Sequence, residues 1–211
     1  QHSPVVFPTP WPNGIVRKFD PHLPHLGYYL ENGGMLNLQT KRGCSFKCIY
    51  CTYPQIEGHV MRLFDPQEVA DTARRLQEAG DRYFFVSDSA FNASVEHSLA
   101  VAQALKKAGV SIPWGAFFAP VTPVDDYYRI LADAGLTHVE FGTESLSDAV
   151  LKAYRKPFRV GQVFEAHAAA VAAGIYVAHY FLPGGPGETP TTMVDTLERI
   201  ERLDKCVLFF F

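Results

Sequence analysis

The chain has 211 residues, of which 47% are hydrophobic and 19% charged, so it has enough apolar material for one buried core. The formal net charge of −3 excludes the broad basic surface of a general nucleic-acid-binding protein. No apolar run in the sequence approaches the ~20 residues of a membrane span, and residues 1–20 lack a signal-peptide pattern. We therefore expect a cytoplasmic protein with neither a nucleic-acid partner nor a membrane span.

The first 34 residues are predicted to form a proline-rich leader or linker. Six of the 15 prolines lie in residues 1–24, where no period of apolar residues survives. This composition is typical of an extended segment that lies on a surface. Residues 35–211 form the second predicted unit, and the apolar run at 207–211 indicates a fragment of a longer protein.

From residue 35 onward, strand-like and helical patterns alternate. Six short apolar runs are predicted to be strands buried on both faces: residues 35–40, 83–87, 114–118, 138–142, 175–181 and 206–211. The helices between them are marked by caps such as Asp65-Pro66 at their starts and by Ala-Gly pairs at their ends. This alternation predicts an α/β fold with a parallel sheet, either an open doubly wound sheet or a barrel or partial barrel.

Polar residues come directly after several of the predicted strands. Ser87 and Asp88 follow the second strand, and Glu144 follows the fourth. Because ligands of parallel α/β sheets bind at the carboxyl ends of the strands, these residues are expected at one ligand-binding edge. His179 and Tyr180 lie on the fifth strand and are expected to face opposite sides, and a hydrogen-bonded core histidine is the more common role for His179.

A loop after the first predicted strand carries three of the four cysteines: Cys44, Cys48 and Cys51, with three and two residues between them. Three thiolates leave one iron of a four-iron cluster open to another ligand, whereas a structural zinc site normally takes four protein ligands. The alternatives are a zinc site completed by His59 and cysteines that are merely buried. Cys206 is interpreted as a small buried hydrophobic residue on the last strand.

The pattern Cys-x3-Cys-x2-Cys, with Tyr50 before its last cysteine, resembles the radical S-adenosylmethionine (SAM) superfamily. The wider sequence, residues 39–54, is similar to the cobalamin (B12)-binding branch, in particular to its lipid-biosynthesis-associated group. The resemblance implies a partial (β/α)6 barrel over residues 35–211, with parallel strands and outer helices. It also implies that the three cysteines hold a [4Fe-4S] cluster, that SAM binds to this cluster, and that the parent protein binds cobalamin.

The resemblance assigns two segments near the cysteines to SAM. Tyr50 matches the aromatic position beside the adenine, although ordinary packing would equally explain an aromatic residue there. Ser87 and Asp88 match the segment that receives the methionyl amino group, where a carboxylate pairs with an ammonium group. Capping of the following helix is the simpler interpretation of Asp88.

Two further residues are assigned in the same way. Glu144 matches the position that binds the ribose hydroxyls or the amino group of SAM, and a helix-dipole interaction is its simpler interpretation. Lys156 matches the basic residue that pairs with the SAM carboxylate. Arg155 is the alternative for that role, and solvated surface charge is the simpler interpretation of both.

The resemblance implies an enzyme in which the reduced cluster cleaves SAM and the 5′-deoxyadenosyl radical abstracts hydrogen from the substrate. For the parent protein it implies cobalamin-dependent C-methylation, or a related modification, of a small-molecule or lipid-like substrate. An external one-electron reductant of the flavodoxin or ferredoxin type is the expected partner. The alternatives are a cobalamin-independent rearrangement or cyclisation and, in another class, a non-catalytic zinc-stabilised binding module.

Overall fold

The computed structural model describes residues 20, 22, 25–33, 35–121 and 124–211. The α-helices in these ranges are α1 (Leu26–Asn32), α2 (Tyr53–Glu57), α3 (Pro66–Glu78), α4 (Val95–Lys107), α5 (Tyr127–Asp133), α6 (Asp148–Ala153), α7 (Val160–Ala172) and α8 (Pro190–Ile200). The strands are β1 (Leu36–Leu38), β2 (Lys41–Arg42), β3 (Arg62–Leu63), β4 (Phe84–Val86), β5 (Trp114–Phe118), β6 (Leu136–Glu144), β7 (Tyr176–Phe181) and β8 (Cys206–Phe210).

Six strands form one parallel sheet in the order β1-β4-β5-β6-β7-β8. Each strand therefore lies beside the next of the six along the chain, with one or more helices between the two strands of every pair. The six predicted strands are confirmed, with ends that differ by at most a few residues. The predicted burial on both faces is wrong for β8, which has no buried residue because it lies at the edge of the sheet. The prediction of an α/β fold of the partial (β/α)6 barrel type is confirmed as well.

Local sequence explains why these segments form these elements. Helix α3 begins at Pro66, and the Asp65 carboxylate accepts hydrogen bonds from the backbone N–H groups of Gln67 and Glu68. One face of α3 is buried against the sheet. All three residues of β4 are buried, as expected for a parallel strand covered on both faces.

A short antiparallel hairpin, β2 with β3, was not predicted. Two-residue strands are too short to show a period in the sequence, and here Lys41 pairs with Leu63 and Arg42 with Arg62. The hairpin brings together the two ends of the cysteine segment. Gly43 adopts a positive φ of 82°, and a Cβ at this position would overlap the carbonyl oxygen of Val60. The start of the cysteine loop is thus held close to the chain that returns from it.

Most of the predicted leader, including residues 1–19, lies outside the described residues. In its described part, helix α1 follows the proline-rich stretch, and none of its residues is buried. No helix in the described part of the chain is both long enough and apolar enough to cross a bilayer.

Candidate active site

A cavity of about 250 Å³ lies among the ends of the central strands and the cysteine loop. All three cysteines of the loop line it, and so do Tyr50 and Glu144. Lys156 completes the charged part of the lining, while much of the remaining wall is apolar and aromatic. The loop after the first strand and the residue after the fourth strand of the sheet therefore meet at one site, as the sequence predicts.

The cysteine loop is held by backbone hydrogen bonds at several points. Cys44 is buried and its N–H donates to the carbonyl oxygen of Gly58 at 3.1 Å. The N–H of Ile49 donates to the carbonyl oxygen of Tyr154 at 3.2 Å, which ties the middle of the loop to the segment after α6. The thiols are consequently presented by a fixed backbone.

The thiols form a site that would accept a cationic group. Burial raises the pKa of the Cys48 thiol, the Lys156 ammonium lowers it, and negative charge on Cys51 and Cys44 raises it further. Mutual repulsion of this kind is relieved when iron binds the thiolates, so the donor set fits an iron–sulfur cluster.

The alternative of a zinc ion completed by His59 finds no support in the geometry. His59 is exposed and does not line the cavity. In the described ranges, the three cysteines do not form a group whose ligand atoms all lie within 4.8 Å of one another, the compact arrangement that a single ion needs. A larger, multi-metal group is the better match for three thiols that share one cavity.

Glu144, Tyr50 and Lys156 form a hydrogen-bonded triad at the cavity. The Tyr50 hydroxyl donates to Glu144 Oε1 at 2.7 Å, and Lys156 Nζ donates to the same oxygen at 3.2 Å. Lys156 Nζ also donates to the Tyr50 hydroxyl oxygen at 2.9 Å and lies over the rings of Tyr50 and Phe158. Burial and the neighbouring Glu144 carboxylate raise the pKa of Tyr50, which keeps its hydroxyl protonated as a donor.

The backbone at the end of β6 aims the Glu144 side chain. Glu144 has a φ of 65°, in the left-handed region, and the pairing of β6 with β7 shifts register between Gly142 and Glu144. The side chains of Glu144 and Lys156 are only 12% and 7% exposed. Their opposite charges are therefore held 3.2 Å apart in a largely water-excluded pocket.

Of the two candidate bases, Lys156 is the one at the site. Arg155 is exposed and does not line the cavity. Tyr154, just before them, is buried, packs edge-to-face on Tyr50 at 5.6 Å between ring centroids, and donates its hydroxyl to the carbonyl oxygen of Leu182 at 2.7 Å. The turn after β7 is thereby connected to the aromatic residue of the cysteine loop.

Ser87 and Asp88 do not line this cavity. Asp88 is fully buried, and its Oδ1 accepts from the backbone N–H groups of Thr40 at 2.9 Å and Lys41 at 3.4 Å. Its Oδ2 accepts from the Thr40 hydroxyl at 2.6 Å, while the N–H of Ser87 donates to the carbonyl oxygen of Leu38 at 2.9 Å. Contact of these residues with SAM stays a prediction, which the burial of Asp88 disfavours.

One residue near the site, Lys41, was not anticipated from the sequence. Lys41 is 1% exposed, and its Nζ donates to the hydroxyl of Ser89 at 3.4 Å. Ser89 itself lines the cavity. The only signal that could have found Lys41 is its position between a buried strand and Cys44, because the 48 residues that separate it from Ser89 hide the contact.

Comparison with known proteins gives a family. The family model described as the Radical SAM superfamily matches residues 38–200. Among curated proteins, tryptophan 2-C-methyltransferase of Streptomyces laurentii is 26% identical over 202 residues, which cover 88% of this chain and 33% of that protein. Hopanoid C-3 methylase of Methylococcus capsulatus is 24% identical over 179 residues, which cover 79% of this chain and 34% of the methylase.

Solved structures agree on the fold. The radical SAM methyltransferase TsrM from Kitasatospora setae, with tryptophan and a SAM analogue bound, has a TM-score of 0.81 at 24% identity and covers 94% of this chain and 38% of its own. The structure of TsrM with cobalamin and a [4Fe-4S] cluster has a TM-score of 0.80 at 22% identity, with 94% of this chain and 37% of that chain covered. The chain spans about a third of the length of the curated relatives described above. Since the family model covers most of the sequence, the protein belongs to the radical SAM superfamily.

Proposed function

We propose that this radical SAM enzyme carries out, in its full-length form, cobalamin-dependent C-methylation of an apolar, lipid-like small molecule. The observation that carries the proposal is that three thiols and a buried pair of opposite charges, Glu144 and Lys156, line the same cavity. Three cysteines leave one iron of a four-iron cluster free for a ligand. Lys156 offers a positive charge for the carboxylate of SAM, and Glu144 offers a negative charge for its amino group.

The cavity residues match the polar groups of SAM. Lys156 would pair with the carboxylate of SAM, and Glu144 would accept hydrogen bonds from its ammonium or ribose hydroxyls. Tyr50, with its ring at the cavity, would pack beside the adenine. These roles extend the assignments made from the sequence, and the closeness of the three side chains supports them.

Ser87 and Asp88 act in this proposal from behind the wall of the cavity. The Asp88 carboxylate bonds to the backbone at Thr40 and Lys41, just before the cysteine loop begins. It would therefore position the loop, and a direct bond to the methionyl amino group would require it to give up these partners. When bound, the cluster supplies the electron for the reductive cleavage of SAM.

The lining of the cavity supports an apolar substrate. Phe46, Phe117, Phe118 and Phe158 contribute to its wall. An apolar wall also limits the access of water and polar side reactants to reactive species. Hopanoid C-3 methylase among the relatives supports the same substrate class. The source of electrons in the proposal is an external one-electron reductant such as a flavodoxin or ferredoxin.

The first test is reconstitution of the chain with iron and sulfide under anaerobic conditions, followed by SAM and dithionite. We expect a brown protein with four irons in each chain and slow formation of 5′-deoxyadenosine. A colourless protein that retains zinc in place of iron would contradict the proposal for the cysteine loop.

The second test concerns cobalamin. Hydroxocobalamin is titrated into the full-length protein and into the 211-residue chain, and the corrin spectrum is followed. We expect stoichiometric binding by the full-length protein and no tight binding by the chain, whose six parallel strands all belong to the barrel sheet. Failure of the full-length protein to bind would favour cobalamin-independent rearrangement or cyclisation. Stoichiometric binding by the chain alone would place the cobalamin site within these residues.

A further inference from the structure

A second group of possible metal ligands lies away from the cavity. His167 on α7, His179 on β7 and Cys206 at the start of β8 each offer a ligand atom, and these atoms all lie within 4.8 Å of one another. His167 is 4% exposed and His179 is fully buried, while Cys206 is partly buried. None of the three lines the active-site cavity. His179 and Tyr180 face opposite sides of β7, as predicted, because Tyr180 does line it.

We propose that His167, His179 and Cys206 form a binding site for one divalent metal ion of the zinc class, separate from the iron–sulfur cluster. The facing atoms are His167 Nδ1 and His179 Nε2, which lie 3.0 Å apart. Tetrahedral zinc with bonds of about 2.0–2.1 Å to nitrogen places two ligand nitrogens about 3.3 Å apart. An opening of a few tenths of an ångström would therefore accommodate the ion between the two rings.

The remaining ring nitrogens face groups that would orient the two histidines. His179 Nδ1 is hydrogen-bonded to the Thr143 hydroxyl at 2.7 Å, whereas the buried His167 Nε2 makes no hydrogen bond and lies 3.5 Å from Asp204 Oδ1. Metal-bound histidines usually donate their second N–H to an acceptor, which fixes the ring and its tautomer. Here the N–H at His179 Nδ1 would donate to Thr143 and the N–H at His167 Nε2 to Asp204. The inward nitrogens would then both present lone pairs to the ion.

The chemistry of the donors selects the class of ion. Two imidazoles and one thiol suit Zn²⁺ and exclude Mg²⁺ and Ca²⁺, which require oxygen ligands. Cys206 now donates its thiol hydrogen to the carbonyl oxygen of Leu203 at 3.3 Å. On binding, this proton would leave to solvent and the thiolate sulfur would bond to the metal. Cys206 is only partly buried, and a water on its side of the site would supply the fourth ligand.

An ion at this position would join three elements of the fold. It would cross-link helix α7 to β7 and to β8, the last strand of the sheet. The competing explanation is a hydrogen-bonded chain from Thr143 through His179 to His167, with no metal. That explanation needs no contribution from Cys206, and this difference can be tested.

The test uses Co²⁺ as a spectroscopic substitute for Zn²⁺ in an untagged protein in which Cys44, Cys48 and Cys51 are replaced by Ala. Cys206 is then the only thiol in the chain, because the sequence has four cysteines. We expect one Co²⁺ per chain, with intense visible bands of tetrahedral cobalt and a sulfur-to-cobalt charge-transfer band. Cys206→Ser should remove the charge-transfer band together with stoichiometric binding, and His167→Gln or His179→Gln should likewise abolish stoichiometric binding.

Matched controls separate the site from adventitious binding. His138→Gln removes a half-buried histidine of the same sheet outside the group, and we expect its cobalt spectrum to match that of the parent variant. Asp204→Asn should weaken binding about 10–100-fold, the usual loss when the partner of a metal-bound histidine is removed. The proposal would be overturned by a protein that shows native circular dichroism but no cobalt bands. It would also be overturned if the sulfur-to-cobalt charge-transfer band persisted in Cys206→Ser with unchanged intensity.

A second measurement avoids cysteine replacements in the loop. The wild-type chain, loaded with its iron–sulfur cluster, is dialysed against Zn²⁺ and its metals are counted. We expect one zinc in addition to four irons per chain, and no zinc in Cys206→Ser with the iron content unchanged. Equal zinc content in the two proteins would contradict the site, whatever the enzyme's activity.

Discussion

Two carboxylates that follow strands of the same sheet have different partners. Asp88, after β4, is fully buried and accepts from backbone N–H groups and a threonine hydroxyl. Glu144, at the end of β6, accepts from the side chains of Tyr50 and Lys156 at the cavity. Side chains can turn toward a ligand, whereas the backbone before the cysteine loop cannot move without unfolding locally. A carboxylate at a strand end is thus a candidate ligand only when a ligand can replace its own hydrogen-bond partners.

The largest expected effect concerns the cysteine loop. Asp88 bonds to the backbone just before this loop, and Glu144 bonds to Tyr50 within it. Replacing Cys44, Cys48 or Cys51 individually with Ala should abolish cluster assembly and SAM cleavage, because each thiol is needed for a three-cysteine cluster. Iron and sulfide content and the visible spectrum after anaerobic reconstitution measure the loss. Cys206→Ala is the matched control, and it should keep its iron. The opposite pattern, with iron lost in Cys206→Ala and kept in Cys48→Ala, would refute the assignment.

Asp88→Asn tests the scaffold side of the comparison. We expect the free energy of unfolding to fall by about 3 kcal/mol, because a buried acceptor becomes a donor and Lys41 keeps a buried positive charge without its negative neighbour. Urea unfolding of the chain measures the change. Glu78→Gln, which breaks the exposed ion pair with Arg74 on α3, is the control, with an expected loss under about 1 kcal/mol. An equal loss in the two variants would contradict the scaffold role of Asp88.

Glu144→Gln and Lys156→Gln test the ligand side. Each should weaken SAM binding about 10–100-fold, because loss of a charge-assisted hydrogen bond costs about 1.5–3 kcal/mol. Equilibrium dialysis with labelled SAM on the cluster-loaded protein measures the dissociation constant. Arg155→Gln is the control, since this neighbouring base is exposed and outside the cavity. Equal weakening in all three variants would mean that the two cavity residues contribute no more to SAM binding than their exposed neighbour.

Tyr50→Phe should have the smallest effect. It removes the hydroxyl that donates to Glu144 but keeps the ring that packs on Tyr154. A single neutral donor contributes about 1 kcal/mol, so SAM binding should weaken about fivefold, as measured in the same dialysis experiment. Tyr50→Leu, which also loses the ring, should be clearly worse. Identical dissociation constants for the two variants would exclude stacking of Tyr50 on the adenine.

The main sheet was predictable because its strands are short apolar runs separated by capped helices. Trp114–Phe118, for example, is predicted and observed with the same bounds. The hairpin β2–β3 was not predictable, because strands of two residues are too short to show a hydrophobic period. The sequence also placed the cysteines and Glu144 at the ligand edge, since strand ends are readable from local pattern alone.

Contacts between residues far apart in the sequence could not be predicted in the same way. Glu144 and Tyr50 are 94 positions apart and Lys156 and Tyr50 are 106 apart, so only tertiary structure reveals that they bond. The burial of Asp88 likewise depends on Thr40, 48 residues earlier, whose backbone N–H donates to the Asp88 carboxylate. The chemical type of each residue and its position at a strand end could be inferred from the sequence, whereas its hydrogen-bond partners could not.

The left-handed backbone of Glu144 has a consequence for how the chain can be altered. An L-residue with a side chain at a φ of 65° costs about 1–2 kcal/mol, which glycine would recover. Glycine would also leave the Lys156 ammonium, whose side chain is 7% exposed, without its negative partner, and this loss is the larger of the two. The pair with Lys156 therefore outweighs the strain of the backbone, and Glu144 should be held fixed in any attempt to make the enzyme more robust.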